Sequence, residues 1–104
     1  MDIKFIRFHS AVETDLQTGR RFYNCQQNGV GEYFIDSLLA DIESLLICAG
    51  AHIKVFGCYR LLSKRFPYAI YYLIDGQTVK VQAVLPLKRN PKWLKGQLTN
   101  RGDK

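Results

Sequence analysis

Between Tyr68 and Pro86 two runs rich in aromatic and β-branched residues, YAIYYLI and TVKVQAVL, flank Asp75-Gly76 and the Gln77 that follows it. Runs of this kind favour strands, and Asp-Gly between them is among the strongest short hairpin signals. The pair predicts a type I′ turn, in which both central residues take positive φ. Strict alternation then puts Tyr68, Ile70, Tyr72 and Ile74 on one face and Ala69, Tyr71 and Leu73 on the other. In the second arm it sets Val79, Val81, Ala83 and Leu85 against Lys80, Gln82 and Val84. Both faces are apolar, as in central strands of a sheet, and Pro86 ends the second arm because it has no N–H for a ladder.

The first half of the chain has a different period. Val12, Leu16, Gly19 and Phe22/Tyr23 recur at steps of three and four, which predicts a helix from Ala11 to about Gln26, capped by Ser10 with Glu13 in the capping-box position. Asn28-Gly29 breaks it. In EYFIDSLLADIESLLICAG the same spacing recurs through Phe34/Ile35, Leu38/Leu39, Ile42 and Leu45/Leu46, with Asp36, Asp41 and Glu43 between, until Ala49-Gly50. Two helices joined by a short glycine-containing turn pair as an antiparallel hairpin. IKFIRF at 3–8 reads as a first strand, and IKVFG with CYRLLSKRF as one further strand or two. The order predicts an α+β fold: an N-terminal strand, then an antiparallel two-helix hairpin packed on one face of a twisted, mainly antiparallel sheet. Its size suits one domain, taken as residues 1–97, with a polar, fraying tail over 98–104 and Trp93 folded back on the sheet as a lid.

Charge is divided unevenly. Residues 1–53 hold four Lys/Arg against seven Asp/Glu, and residues 54–104 hold eleven against two, so the net +6 belongs to the second half. Such a field attracts nucleic acid or an acidic protein segment. Cys25, Cys48 and Cys58 are an odd number without CxxC spacing and read as buried free thiols; His9 and His52 form no metal-ligand pattern. No run approaches the roughly 18–20 apolar residues of a membrane span, and MDIKFIRFHS lacks the apolar core of a secretory signal, so a cytoplasmic location is expected. Tyr68, Tyr71 and Tyr72 read first as strand packing, His9 as a polar strand end and Arg20-Arg21 as a solvated helix face.

Several blocks together resemble one family. Ala11 with Asp15-Leu16 and Phe22-Tyr23, Gly31-Glu32 with Phe34 opening the second helix, KRFPYAIYY at 64–72 and KRNPKW at 88–93 are similar to the RelE/ParE superfamily of type II toxin–antitoxin toxins. The likeness is greater to its ParE-like, plasmid-stabilisation branch and spans roughly residues 3–95. It implies a toxin that inhibits DNA gyrase without catalytic residues, cofactor or metal, and that a cognate antitoxin neutralises. It also implies a partner-binding set of Arg60, Lys64, Arg65, Tyr68, Lys88, Arg89 and Trp93, met by acidic antitoxin side chains while apolar ones fill a groove.

The RelE-like branch implies another activity, metal-independent cleavage of mRNA on the ribosome by attack of a ribose 2′-OH on the adjacent phosphorus. That chemistry needs a proton acceptor, clustered cations and a donor for the leaving oxygen. Its candidates here are Arg60, Lys64, Arg65, Tyr68 and Arg89, but Leu62 and Ala69 stand where those nucleases carry basic residues. The third possibility is a degenerate, non-toxic binding module.

Overall fold

The computed structural model describes residues 2–102. Its elements in chain order are β1 (Phe5–Phe8), α1 (Val12–Gln26), α2 (Val30–Glu43), the single turn α3 (Leu45–Cys48), β2 (Lys54–Val55), β3 (Cys58–Leu62), β4 (Tyr68–Asp75), β5 (Thr78–Pro86) and α4 (Pro91–Arg101). The strands form one sheet in the order β1-β5-β4-β3-β2. β1 runs parallel to β5 and every other pair is antiparallel. The architecture is α+β, as the order of periodicities predicts.

The α1–α2 hairpin covers one face. Val12, Phe34, Leu38, Ile42 and Leu45 pack there on Tyr68, Ile70, Tyr72, Val79 and Val81, all buried. Helix α1 approaches closely because residue 19 has no side chain: a Cβ at Gly19 would lie 2.4 Å from Phe34 Cζ. Asn24 ties the interhelical turn, its Oδ1 accepting from the N–H groups of Gly29 and Gly31 at 3.2 and 2.8 Å. Arg20, expected on a solvated face, donates to Glu32 across the hairpin at 2.7 Å, while Arg21 is exposed.

Other local expectations are corrected. Of the three thiols expected to be buried, Cys58 is, Cys48 is half-buried and Cys25, on α1, is exposed. Ser10 does not cap α1. The cap position is Ala11, whose N–H donates to His9 Nδ1 at 3.0 Å, and Val12 N–H donates to the His9 carbonyl at 3.0 Å, so His9 serves the helix start. The β4–β5 turn is displaced by one residue. Asp75 pairs with Thr78, leaving Gly76-Gln77 as the loop, and only Gly76 has positive φ (60°), the type II′ rather than the I′ pattern. The positive-φ pair occurs instead at Phe56-Gly57 (56° and 82°), which joins β2 and β3 as two separate strands.

The faces of β5 also depart from simple alternation. Tyr71 pairs with Ala83 and Tyr72 with Val81, so Gln82 is the extra residue of a β-bulge. Beyond it the facing is inverted: Val79, Val81 and Val84 join the helix-side core, whereas Ala83 and Leu85 join Ala69 and Tyr71 on the second face.

Helix α4 covers that second face with Leu94 and Leu98. Asn90 caps it, accepting from Lys92 N–H at 2.7 Å, and Pro91 opens it, where a missing N–H costs nothing. The sequence predicts no helix over 91–97, and the tail expected to fray is helical to Arg101; Asp103 and Lys104 lie outside the described residues. Trp93 does fold back toward the sheet, as part of this helix. Among the described residues, no helix is long and apolar enough to cross a membrane.

Candidate partner-binding site

Two basic turns lie side by side at one end of the sheet. The β3–β4 turn carries Lys64 and Arg65, the turn from β5 to α4 carries Lys88 and Arg89, and Leu87 N–H donates to the Pro67 carbonyl at 2.9 Å between them. All four cations are exposed and form no ion pair among the described residues.

The β3–β4 turn is held rigid from beneath. Asp41, expected between the apolar positions of α2, is buried and accepts from Ser63 Oγ at 2.8 Å and Lys64 N–H at 3.3 Å. Phe66 packs into an aromatic cluster with Tyr23 and Phe34, at centroid distances of 4.8 and 5.2 Å. A charged turn is thereby displayed on a fixed base, so little ordering cost remains for a partner to meet.

Arg89 is positioned differently. Its guanidinium lies 3.8 Å from the centroid of the Trp93 ring, a cation–π stack that leaves the planar N–H edge free. Beside it is a cavity of about 150 Å³ whose lining includes Tyr68, Arg89, Trp93, Gln97, Asp15 and Arg101. Burial raises the Tyr68 phenol above its ordinary value, with Tyr23 and Asp15 adding to the effect, so it is a neutral donor near pH 7 rather than a base.

Arg60 stands apart from this cluster. It lies on β3 opposite Tyr71, on the second face, with a buried Nε that has no hydrogen-bond partner among the described residues. Burial raises the Tyr71 phenol and the Arg60 cation opposes that shift, consistent with their adjacency. Tyr68 belongs to the helix-side core and Tyr71 to the other. The structure thus joins Tyr68, Arg89 and Trp93 at one cavity, sets Lys64, Arg65 and Lys88 on the turns nearby, and puts Arg60 across the sheet.

Sequence reasoning did not find the group behind the cavity. Arg101 makes a bidentate ion pair with Asp15, at 2.6 and 2.7 Å, and donates to the Gln82 carbonyl at 3.0 Å; the other Asp15 bond is from Val84 N–H, at 3.0 Å. His9 Nε2 lies 2.8 Å from the Arg101 carbonyl. Since Nδ1 accepts from Ala11, Nε2 carries the proton, and the ring is a neutral bridge between β1, α1 and α4. Among the described residues no three His, Cys, Asp or Glu side chains gather as a metal site.

No family model matches the chain, and no curated protein matches it in sequence. Its fold does have a solved counterpart. A chain of the chromosomal ParDE TA system from P. aeruginosa superposes with a TM-score of 0.74 at 12% identity, over 85% of this chain and 100% of that one. The fold is ParE-like. In this ParE-like fold the helix hairpin and sheet occur at the expected places, while an identity of 12% leaves the surface chemistry to be read from this chain's own residues.

Proposed function

We propose that this protein is the toxin of a toxin–antitoxin pair of the ParE-like kind, acting by docking on DNA gyrase and neutralised by a cognate antitoxin. The ParE-like fold supports the class of protein. The observation that carries the mode of action is the separation of Arg60 from Tyr68, which lie on opposite faces of the sheet. Phosphodiester cleavage requires a proton acceptor and cations converging on one phosphate. Here Tyr68 is buried and neutral and offers a proton but does not accept one, Ala69 offers only a methyl group, and Arg60 lies on the face away from Tyr68. What remains is a rigid basic end made of Lys64, Arg65, Lys88 and the Trp93-stacked Arg89, suited to binding rather than bond cleavage.

That end is also the surface for the acidic part of an antitoxin, with Arg89 held ready for a carboxylate. The test is induction of the protein followed by two measurements: gyrase supercoiling with trapping of cleaved DNA, and mapping of mRNA 5′ ends. Trapped gyrase with intact mRNA is the expected result. Codon-phased cuts with normal gyrase would overturn the reading in favour of a ribosome-dependent nuclease, and neither effect would leave a non-toxic binding module.

A further inference from the structure

Strand β1 closes one side of the sheet, and only half of its backbone is used. Phe5 N–H donates to the Gln77 carbonyl at 3.1 Å and His9 N–H to the Val81 carbonyl at 2.8 Å. In a parallel ladder alternate residues face the partner strand, so Phe5 and Arg7 address β5 while the N–H and C=O groups of Ile6 and Phe8 turn to the open edge. Such an edge is a template for another strand unless proline, charge or a covering element blunts it. FIRF contains no proline, and its single charge, Arg7, alternates away from the face of Ile6 and Phe8.

A groove lies directly beside this edge. Ile6, Phe8, Leu39 and Ile42 line a cavity of about 280 Å³. Past Phe8 and Leu39 it continues into one of about 500 Å³ over Leu16 and Ile35. Phe8 and Leu39 are 49% and 41% exposed, an open apolar surface rather than a closed core. The rim has one sign. Glu43 borders the first cavity, Glu13 the second, and no Lys or Arg lines either. Glu13 and Glu43 form no ion pair among the described residues. On a protein of net charge +6 this is a local anionic frame around an apolar slot.

We propose that the β1 edge and this groove form a docking site for an extended segment of another protein in which an apolar side chain is flanked, two residues away on each side, by basic ones. Added as a strand to Ile6 and Phe8, such a segment presents residues i, i+2 and i+4 to the same face. The central apolar side chain enters between Phe8 and Leu39, and the flanking cations reach Glu13 and Glu43. The residues between them fall on the opposite face, beside the exposed ring of Phe5. A second copy of this chain fits poorly, because a two-fold pairing of β1 edges brings the two anionic rims together; an acidic segment is repelled for the same reason. The site is separate from the basic end and does not depend on the toxin reading.

The probe is the capped peptide Arg-Val-Leu-Val-Arg, with Glu-Val-Leu-Val-Glu as its charge-reversed partner, titrated into the full isotope-labelled chain and followed by amide shifts and hydrogen exchange. The basic peptide is expected to shift and protect the amides of Ile6 and Phe8 and to shift Leu39, and the acidic peptide to leave them unmoved. Replacing Glu13→Lys together with Glu43→Lys, both exposed, is expected to weaken the basic peptide at least tenfold. Phe8→Pro removes an outward N–H and leaves the β5 ladder intact, so it is expected to abolish protection where Phe8→Ala retains part of it. Equal binding of both peptides, shifts confined to the basic turns, or concentration-dependent protection of Ile6 and Phe8 in the free protein would each overturn the proposal, the last in favour of self-association.

Discussion

Asp15 and Arg101, 86 positions apart, are joined by two charge-assisted hydrogen bonds of 2.6 and 2.7 Å, with side chains only 8% and 10% exposed. Between them they also bond the Gln82 carbonyl and the Val84 N–H of β5. β1 pairs with β5 only as far as Val81. Past that point the ion pair takes the place of a neighbouring strand, satisfying the backbone around the bulge and fixing the end of α4 to α1.

Breaking this pair leaves a buried charge without its partner. Arg101→Ala and Asp15→Ala are each expected to destabilise the fold by about 3–5 kcal/mol. The double variant should cost much less than the sum of the two. Urea unfolding of all four proteins gives the coupling, and additive losses would show that the pair is not the tie between α4 and α1.

Gly19→Ala sets two effects against each other. Alanine in a helix interior gains about 1 kcal/mol over glycine. The new Cβ, however, would stand 2.4 Å from Phe34 Cζ, and Phe34 is fully buried among Tyr23, Phe66 and Tyr68. Overpacking of this sort costs about 1–3 kcal/mol, so net destabilisation is expected. A raised unfolding midpoint would mean that the hairpin opens to admit the methyl group.

Asp41→Ala should loosen the basic turn without removing any of its cations. Ser63 and Lys64 lose their shared acceptor, a loss of about 1–3 kcal/mol. Faster hydrogen exchange at the Lys64 amide, with the helix-hairpin amides unchanged, is the expected signature. Weaker antitoxin binding should accompany it through a faster off-rate.

Alkaline pH should unfold the protein. Burial raises the phenols of Tyr23, Tyr68, Tyr71 and Tyr72 in the fold. A raised folded value favours the neutral form, so the associated stability is complete below about pH 10, the unfolded phenol value, and is lost as pH rises through the folded values. Tyrosinate absorbance from these residues is therefore expected to appear together with the loss of helical circular dichroism. Full ionisation of all six tyrosines while the helices persist would contradict it.

Reversing Lys64→Glu and Arg65→Glu should leave stability unchanged, since both side chains are exposed and unpaired among the described residues. Association with an acidic antitoxin segment should slow, and its salt dependence should flatten. Measurement of the on-rate at two ionic strengths checks this.

The sequence by itself determined the kinds of element and their order from β1 to β5, but not the helix over Pro91–Arg101. Apolar spacing of three and four over 12–46 can bury one face only as helix, and alternation over 68–85 can bury its faces only as strand. Those periods are properties of neighbouring residues and need no knowledge of what lies opposite. The sequence also showed that the positive charge belongs to the second half.

Tertiary structure decided wherever a residue's partner is distant. Gln82 became a bulge because β5 changes neighbours there, leaving β1 and meeting Asp15 and Arg101, and the bulge reversed the facing of Ala83 and Leu85. His9 displaced Ser10 as the helix-start acceptor because its other nitrogen is fixed by α4. The helix over Pro91–Arg101, which no apolar period marks, formed because Leu94 and Leu98 cover the second face and Arg101 meets a carboxylate in α1. In the same way the sheet put Arg60 on one face and Tyr68 on the other, although they are eight positions apart in sequence. Separate faces of a strand pair are set by register across the ladder, and register is fixed only when the strands meet.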